Sequence, residues 1–126
     1  MKKTILVVDD YVDFARLLES RLKTEGFETE VANDGPTAIE RAKTLKPDLI
    51  ILDIMMPKVG GNEVRQELMK DPATQDIPII FLTGLRAPRT KHKLQNQSVK
   101  MIGKSNDFKE LLEAIREALD KTSKMN

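Results

Sequence analysis

Residues 4–10 read Thr4-Ile5-Leu6-Val7-Val8-Asp9-Asp10 (TILVVDD). The apolar run Ile5–Val8 reads as a strand buried on both faces. It ends in two adjacent carboxylates. Two anions at the mouth of a hydrophobic sheet repel each other and lose hydration, so a cation has to compensate them.

Working outward, short apolar runs alternate with helical patterns. The sequence predicts strands at Thr4–Val8, Phe27–Ala32, Leu49–Leu52, Ile79–Leu82 and Val99–Ile102. Between the first two, Tyr11–Glu25 carries Phe14, Leu18 and Leu22 at helical spacing, and Gly26 ends it as a C-terminal cap. Asn33-Asp34-Gly35-Pro36 is turn and helix-start chemistry. Ala38, Ile39, Ala42 and Leu45 form the stripe of a second helix, which Lys46-Pro47 ends. A loop, Ile54–Gly61, precedes a third helix, Glu63–Lys70; a polar helix is expected over about Pro88–Gln95. Phe108, Leu111, Leu112, Ile115 and Leu119 mark a strongly amphipathic last helix. The polar tail 121–126 is expected to fray.

Five strand-then-helix units imply an α/β fold with a doubly wound parallel sheet. The expected strand order is 2-1-3-4-5, the flavodoxin-like (βα)5 arrangement, in one domain spanning 1–126. Ligands then bind where strands one and three diverge, beyond the strand C-termini. Asp9 and Asp10 end strand one and Asp53 ends strand three, so three carboxylates converge on one rim. Thr83 and Lys104 end the next two strands on that rim.

Composition narrows the chemistry. The chain has 126 residues, 40% hydrophobic and 33% charged, with a formal net charge of +1. That balance argues against a general nucleic-acid binder. There is no cysteine, and the single histidine, His92, cannot build a multi-histidine zinc site. No apolar run approaches the roughly 18 residues of a membrane span, and no secretory leader is recognisable, so a soluble, cytoplasmic protein is expected.

Acidic oxygens without histidine or cysteine suit a hard cation such as Mg²⁺. The Thr83 hydroxyl and the Lys104 ammonium are donors that suit an anion. Together the set fits phosphoryl transfer to a carboxylate, with metal and lysine neutralising the equatorial oxygens. Taken singly, each residue has a plainer reading. Asp10 could cap the following helix, Asp53 could open a turn, Thr83 could satisfy a loop amide and Lys104 could be solvated. The conjunction at successive strand ends outweighs them.

VVDD (7–10), LDIMMP (52–57) followed by Gly61, FLTG (81–84) and Lys104 after strand five together resemble the response-regulator receiver domain of two-component signalling. The likeness covers essentially the whole chain. No output module accompanies it, so the resemblance is to a stand-alone receiver. It implies that Asp53 is the phosphoacceptor, served by a histidine kinase or phosphotransfer protein. It further implies that Asp10 and Asp53 hold Mg²⁺ directly. Asp9 would help through water, the Met55 carbonyl would be a further ligand, and Thr83 and Lys104 would grip the phosphoryl oxygens. The protein would be a signalling phosphoacceptor rather than an enzyme.

Three departures from the family pattern stand on the output side. Met101 occupies the place of an aromatic switch residue, Gln97-Ser98 replaces a Gly-Ala pair, and Ser105-Asn106 follows the lysine where Pro-Phe is usual. Met101 reads most simply as a gap-filler in an apolar strand. Without proline, a trans Lys104–Ser105 bond is expected, since a cis bond there costs about 2.5–4 kcal/mol. From Gly84 to Lys104 there is no acidic residue, while Arg86, Arg89, Lys91, Lys93, Lys100 and Lys104 are basic. This basic run covers the fourth helix and fifth strand, which the resemblance implies form, with the last helix, the face that signals phosphorylation. An acidic protein partner is expected to dock there, with nucleic acid as the lesser alternative.

Rival classes fit less well. A phosphohydrolase of the haloacid-dehalogenase type would need an acid two residues after Asp53, where Met55 stands. A nucleotide-binding module would need a glycine-rich phosphate loop, and neither G-x-G-x-x-G after strand one nor G-x-x-x-x-G-K-[ST] occurs. A receiver that serves only as a docking scaffold would have no use for the intact acids.

Overall fold

A computed structural model describes residues 2–84, 100–104 and 107–124, with side chains through 121. The strands are β1 (Thr4–Val8), β2 (Glu28–Ala32), β3 (Leu49–Asp53), β4 (Ile79–Thr83) and β5 (Lys100–Gly103). The helices are α1 (Val12–Thr24), α2 (Gly35–Leu45), α3 (Gly61–Lys70) and α4 (Phe108–Lys124). All pairings are parallel, in the order β2-β1-β3-β4-β5. The expected doubly wound α/β sheet is thus the observed one. The expected helix at 88–95 and the Lys104–Ser105 peptide lie outside the described residues. No described helix is long and apolar enough to cross a membrane.

The apolar runs are buried on both faces because alternate residues serve two layers. Ile5, Val7, Leu49, Ile51, Ile80, Leu82 and Ile102 pack with Ala15, Leu18 and Leu22 of α1 and with Leu111, Ala114 and Ile115 of α4. Leu6, Val8, Ile50, Leu52 and Phe81 pack on the other side with Ala38 and Ala42 of α2 and with Val64 and Leu68 of α3. Asp53, at the end of β3, and Asp9, one residue past β1, continue the first row, and so does Lys104 two residues after Ile102.

Local signals explain most boundaries. The Asp34 side chain caps α2 by accepting from the Thr37 N–H at 2.8 Å, and Pro36 occupies the first turn. That hydrogen bond holds the Asp34 carboxyl below its ordinary pKa. Gly26, at φ +95°, follows α1 where an L side chain would be strained. Several expectations need correction. Asp10 is not the cap of α1: the N-cap is Tyr11, and it is Asp9 Oδ1 that accepts the Tyr11 N–H at 2.9 Å. The second-helix stripe ends before Leu45, which is 37% exposed. Helix α3 starts two residues before Glu63, because Gly61 fits where no side chain could. A Cβ there would lie 2.5 Å from the Asp53 carbonyl oxygen and 2.8 Å from the Ile54 Cα.

Candidate functional site at the strand C-termini

Strand register sets the heights of the site residues. Val8 pairs with Leu52, so Asp9 and Asp53 come level on neighbouring strands. Asp53 pairs with Leu82, placing Thr83 one residue higher. Thr83 pairs with Gly103, placing Lys104 one residue higher again. At about 3.3 Å per residue the lysine backbone stands roughly two steps above the acids. Only a long side chain could reach back down, and the Lys104 side chain does.

The Lys104 Nζ lies 2.8 Å from Asp9 Oδ2 and 3.3 Å from Asp53 Oδ2. It donates a hydrogen bond to Asp53 and forms a close ion pair with the buried Asp9 carboxylate. The cation demanded by adjacent carboxylates at an apolar strand end is therefore Lys104. The plain reading of this lysine as a solvated charge is overturned: its side chain is only 21% exposed. The Phe14 ring of α1 lies beneath the ammonium, with its centroid 4.9 Å from Nζ.

The two adjacent aspartates have different environments. Asp9 is fully buried, with Oδ1 on the Tyr11 N–H and its carbonyl accepting from Asn33 Nδ2 at 2.8 Å. Asp10 is exposed. Asp53 is buried, and its Oδ1 accepts from the Met55 N–H at 3.2 Å. The Met55 side chain is exposed, and Thr83 is buried with its carbonyl accepting from the Lys104 N–H at 2.7 Å.

Burial, and then the negative charge of Asp9, push the Asp53 carboxyl up to about 6, against the opposing pull of the Met55 N–H and the Lys104 charge. Burial alone would lower the Lys104 ammonium. Contact with Asp9 and the charges of both acids outweigh it, so Lys104 stays above the ordinary lysine value.

Asp9, Asp10 and Asp53 each offer an oxygen within 4.8 Å of the others. Asp9 and Asp53 share one ammonium with Asp10 close by, so the cluster keeps net negative charge. All-oxygen donors of this kind fit a hard divalent cation such as Mg²⁺. The structure thus brings together Asp9, Asp10, Asp53 and Lys104, and strand register places Thr83 on the same rim. It adds Phe14 and Asn33. Phe14 had shown only helical spacing, and Asn33 only turn composition.

Comparison with known proteins agrees with this geometry. Residues 5–116 match the response regulator receiver domain. Response regulator PleD of Caulobacter vibrioides is 46% identical over 85 residues, covering 68% of this chain and 19% of PleD. Probable transcriptional regulator ycf27 of Cyanophora paradoxa is 49% identical over 84 residues, covering 67% of this chain and 34% of that protein. The chain therefore spans only a minor part of these curated relatives. The crystal structure of a response regulator receiver domain protein (CheY-like) from Methanospirillum hungatei JF-1 aligns over 100% of both chains, with a TM-score of 0.85 and 26% identity. The N-terminal domain of a response regulator receiver protein from Methanoculleus marisnigri JR1 gives a TM-score of 0.75 at 32% identity, covering 91% of this chain and 94% of that one. With a family match over most of its length, the chain belongs to the response regulator receiver domains.

Proposed function

We propose that this receiver is a working phosphoacceptor, with Asp53 as the residue that takes the phosphoryl group. The observation that carries this reading is the convergence of Asp9, Asp10 and Asp53 within 4.8 Å, with Lys104 in contact with two of them. A phosphohistidine of a histidine kinase or phosphotransfer protein is the proposed donor.

An Asp53 carboxylate oxygen attacks phosphorus in line. The new bond is O–P, and the P–N bond to the donor imidazole breaks, its electron pair staying on the ring nitrogen. Water later cleaves the acyl phosphate and returns the carboxylate and inorganic phosphate. With its pKa near 6, Asp53 is largely ionised at neutral pH, yet its oxygen is more basic than that of an ordinary aspartate. Lys104 and the Thr83 hydroxyl donate to the transferring oxygens. Asp9, Asp10, Asp53 and the Met55 carbonyl would hold Mg²⁺, which when bound supplies positive charge against the phosphoryl group. The domain turns over no external substrate; it is a cytoplasmic signalling module rather than an enzyme.

Incubation with Mg²⁺ and acetyl phosphate, followed by intact-mass measurement and peptide mapping, tests the assignment. One phosphoryl group is expected on Asp53, and none on the Asp53→Asn variant. An equally phosphorylated Asn variant would overturn it.

For output, the run of bases from Arg86 to Lys104 supports docking of an acidic protein surface. Of those bases, only Lys100 and Lys104 fall within the described residues. Steering of this kind acts mainly on association rate and weakens with salt. Reversing Arg89 and Lys93 to Glu should slow association without affecting Asp53 phosphorylation. A partner that binds the double variant as fast as wild type at low salt would exclude this face.

A further inference from the structure

Phe14 is half-buried and packs at the edge of the core layer between the sheet, α1 and α4. Its ring also stands where the Lys104 ammonium comes to rest. The lysine reaches back over two residue steps to meet Asp9 and Asp53, and a flexible four-carbon stem gives it many other places to go. Two carboxylates draw it from one side, and the electron-rich ring face receives it from another, with its centroid 4.9 Å from Nζ. The same pairing recurs two turns along α1 with the partners exchanged: the Arg21 guanidinium covers the Phe108 ring of α4 at 5.0 Å. Between the two pairs runs a cleft of about 110 Å³, lined by Leu17, Leu18, Leu111 and the Lys104 stem among others. Helix α1 is thus fastened by two cation–ring contacts to the segment that carries Lys104.

We propose that Phe14 is a positioning residue for the phosphoryl-transfer site, holding the Lys104 ammonium over Asp9 and Asp53 through its ring face. The rate consequence rests on the phosphoacceptor reading above; the placement does not. Phe14→Leu keeps an apolar side chain and removes the ring. Phe14→Tyr keeps the ring. Lys104→Ala removes the group on which Phe14 acts.

The rate of Asp53 phosphorylation by acetyl phosphate with Mg²⁺, followed by intact mass, should fall about 3- to 30-fold in Phe14→Leu. Phe14→Tyr should recover most of it. In the Lys104→Ala background, Phe14→Leu should cause no further loss, because the two residues act as one unit. A Phe14→Leu variant as fast as wild type, or an equal loss in both backgrounds, would overturn the proposal. Placement has its own readout. The ε-CH₂ protons of Lys104, assigned by their disappearance in Lys104→Ala, should be shifted upfield by the ring in wild type and Phe14→Tyr and return to ordinary values in Phe14→Leu. Ordinary values in wild type would overturn the proposal even if phosphorylation proceeds. If wild type takes up no phosphoryl group, the phosphoacceptor reading fails, and the proton shifts alone decide the placement of Lys104.

Discussion

The two ends of the sheet handle aspartate in opposite ways. At the N-terminal end, Asp48 accepts the Thr4 N–H on Oδ2 at 2.8 Å while its own N–H donates to the Thr4 carbonyl at 2.8 Å. Its carboxylate meets a backbone donor and fastens β1 to β3. At the C-terminal rim, Asp9 and Asp53 face each other across the same two strands, buried, sharing one ammonium. One end uses a carboxylate to hold the fold. The other accumulates charge that the fold must tolerate, which is the arrangement expected where binding, not stability, is served.

The rim should break most severely at Gly61. A methyl group there meets backbone, not a movable side chain, so Gly61→Ala is expected to cost about 2–3 kcal/mol in urea unfolding. It should also slow phosphorylation, because the atom it strikes is the Asp53 carbonyl. A variant of wild-type stability would mean that the loop 54–60 yields without cost.

Next in size is relief of the charge itself. Raising the Asp53 pKa from 3.8 to about 6 corresponds to at most about 3 kcal/mol, and screening at the open rim reduces this. Below about pH 4 the carboxyl is protonated in both states and the cost vanishes. Between about pH 4 and 6 the folded state keeps a proton that the unfolded chain has lost, so stability falls as pH rises. Above about pH 6 the cost is fully present. Without metal, Asp53→Asn should therefore gain about 1–2 kcal/mol at pH 7.5 and little at pH 4. A variant that is no more stable at pH 7.5 would mean that Lys104 already compensates the pair.

Much of this was legible in the sequence. Apolar runs of four or five residues ending at Asp9, Asp53 and Thr83, too short for helices and alternating with helical patterns, named the strands and the rim. Their order followed from the usual doubly wound arrangement. The inequality of Asp9 and Asp10 was not legible. Only the register and the turn into α1 decide that Asp9 points inward to meet Lys104 while Asp10 faces solvent. Phe14 was equally hidden, since helical spacing assigns a residue to a face without saying which atom of another strand will lie above it. The start of α3 was missed because Gly61 carries no periodic signal; its reason lies in the backbone of Asp53.

A smaller effect should follow from supplying the cation. Mg²⁺ that binds only the folded state stabilises it by about 1.4 kcal/mol at tenfold excess over its dissociation constant. Asp10→Ala should lose most of the rise in melting temperature. An undiminished rise in that variant would place the ion elsewhere. Smallest of all is the satisfied end: Asp48→Ala should cost about 1 kcal/mol through the orphaned Thr4 N–H and leave phosphorylation unchanged. A change in phosphorylation rate would show that the two ends communicate through β1 and β3.

The strand order has a further consequence, in stiffness. Both buried acids extend from β1 and β3, each flanked by strands on both sides, whereas Lys104 follows β5, which pairs with β4 alone. Amides of central strands open to solvent mainly when the whole domain unfolds, while those of an edge strand open through smaller, cheaper fluctuations. Hydrogen exchange at Leu52 and Asp53 should then report global stability, and exchange near Lys104 a lower local one. The site is built from an unyielding anionic half and a compliant cationic half, so any force that moves it moves the lysine first.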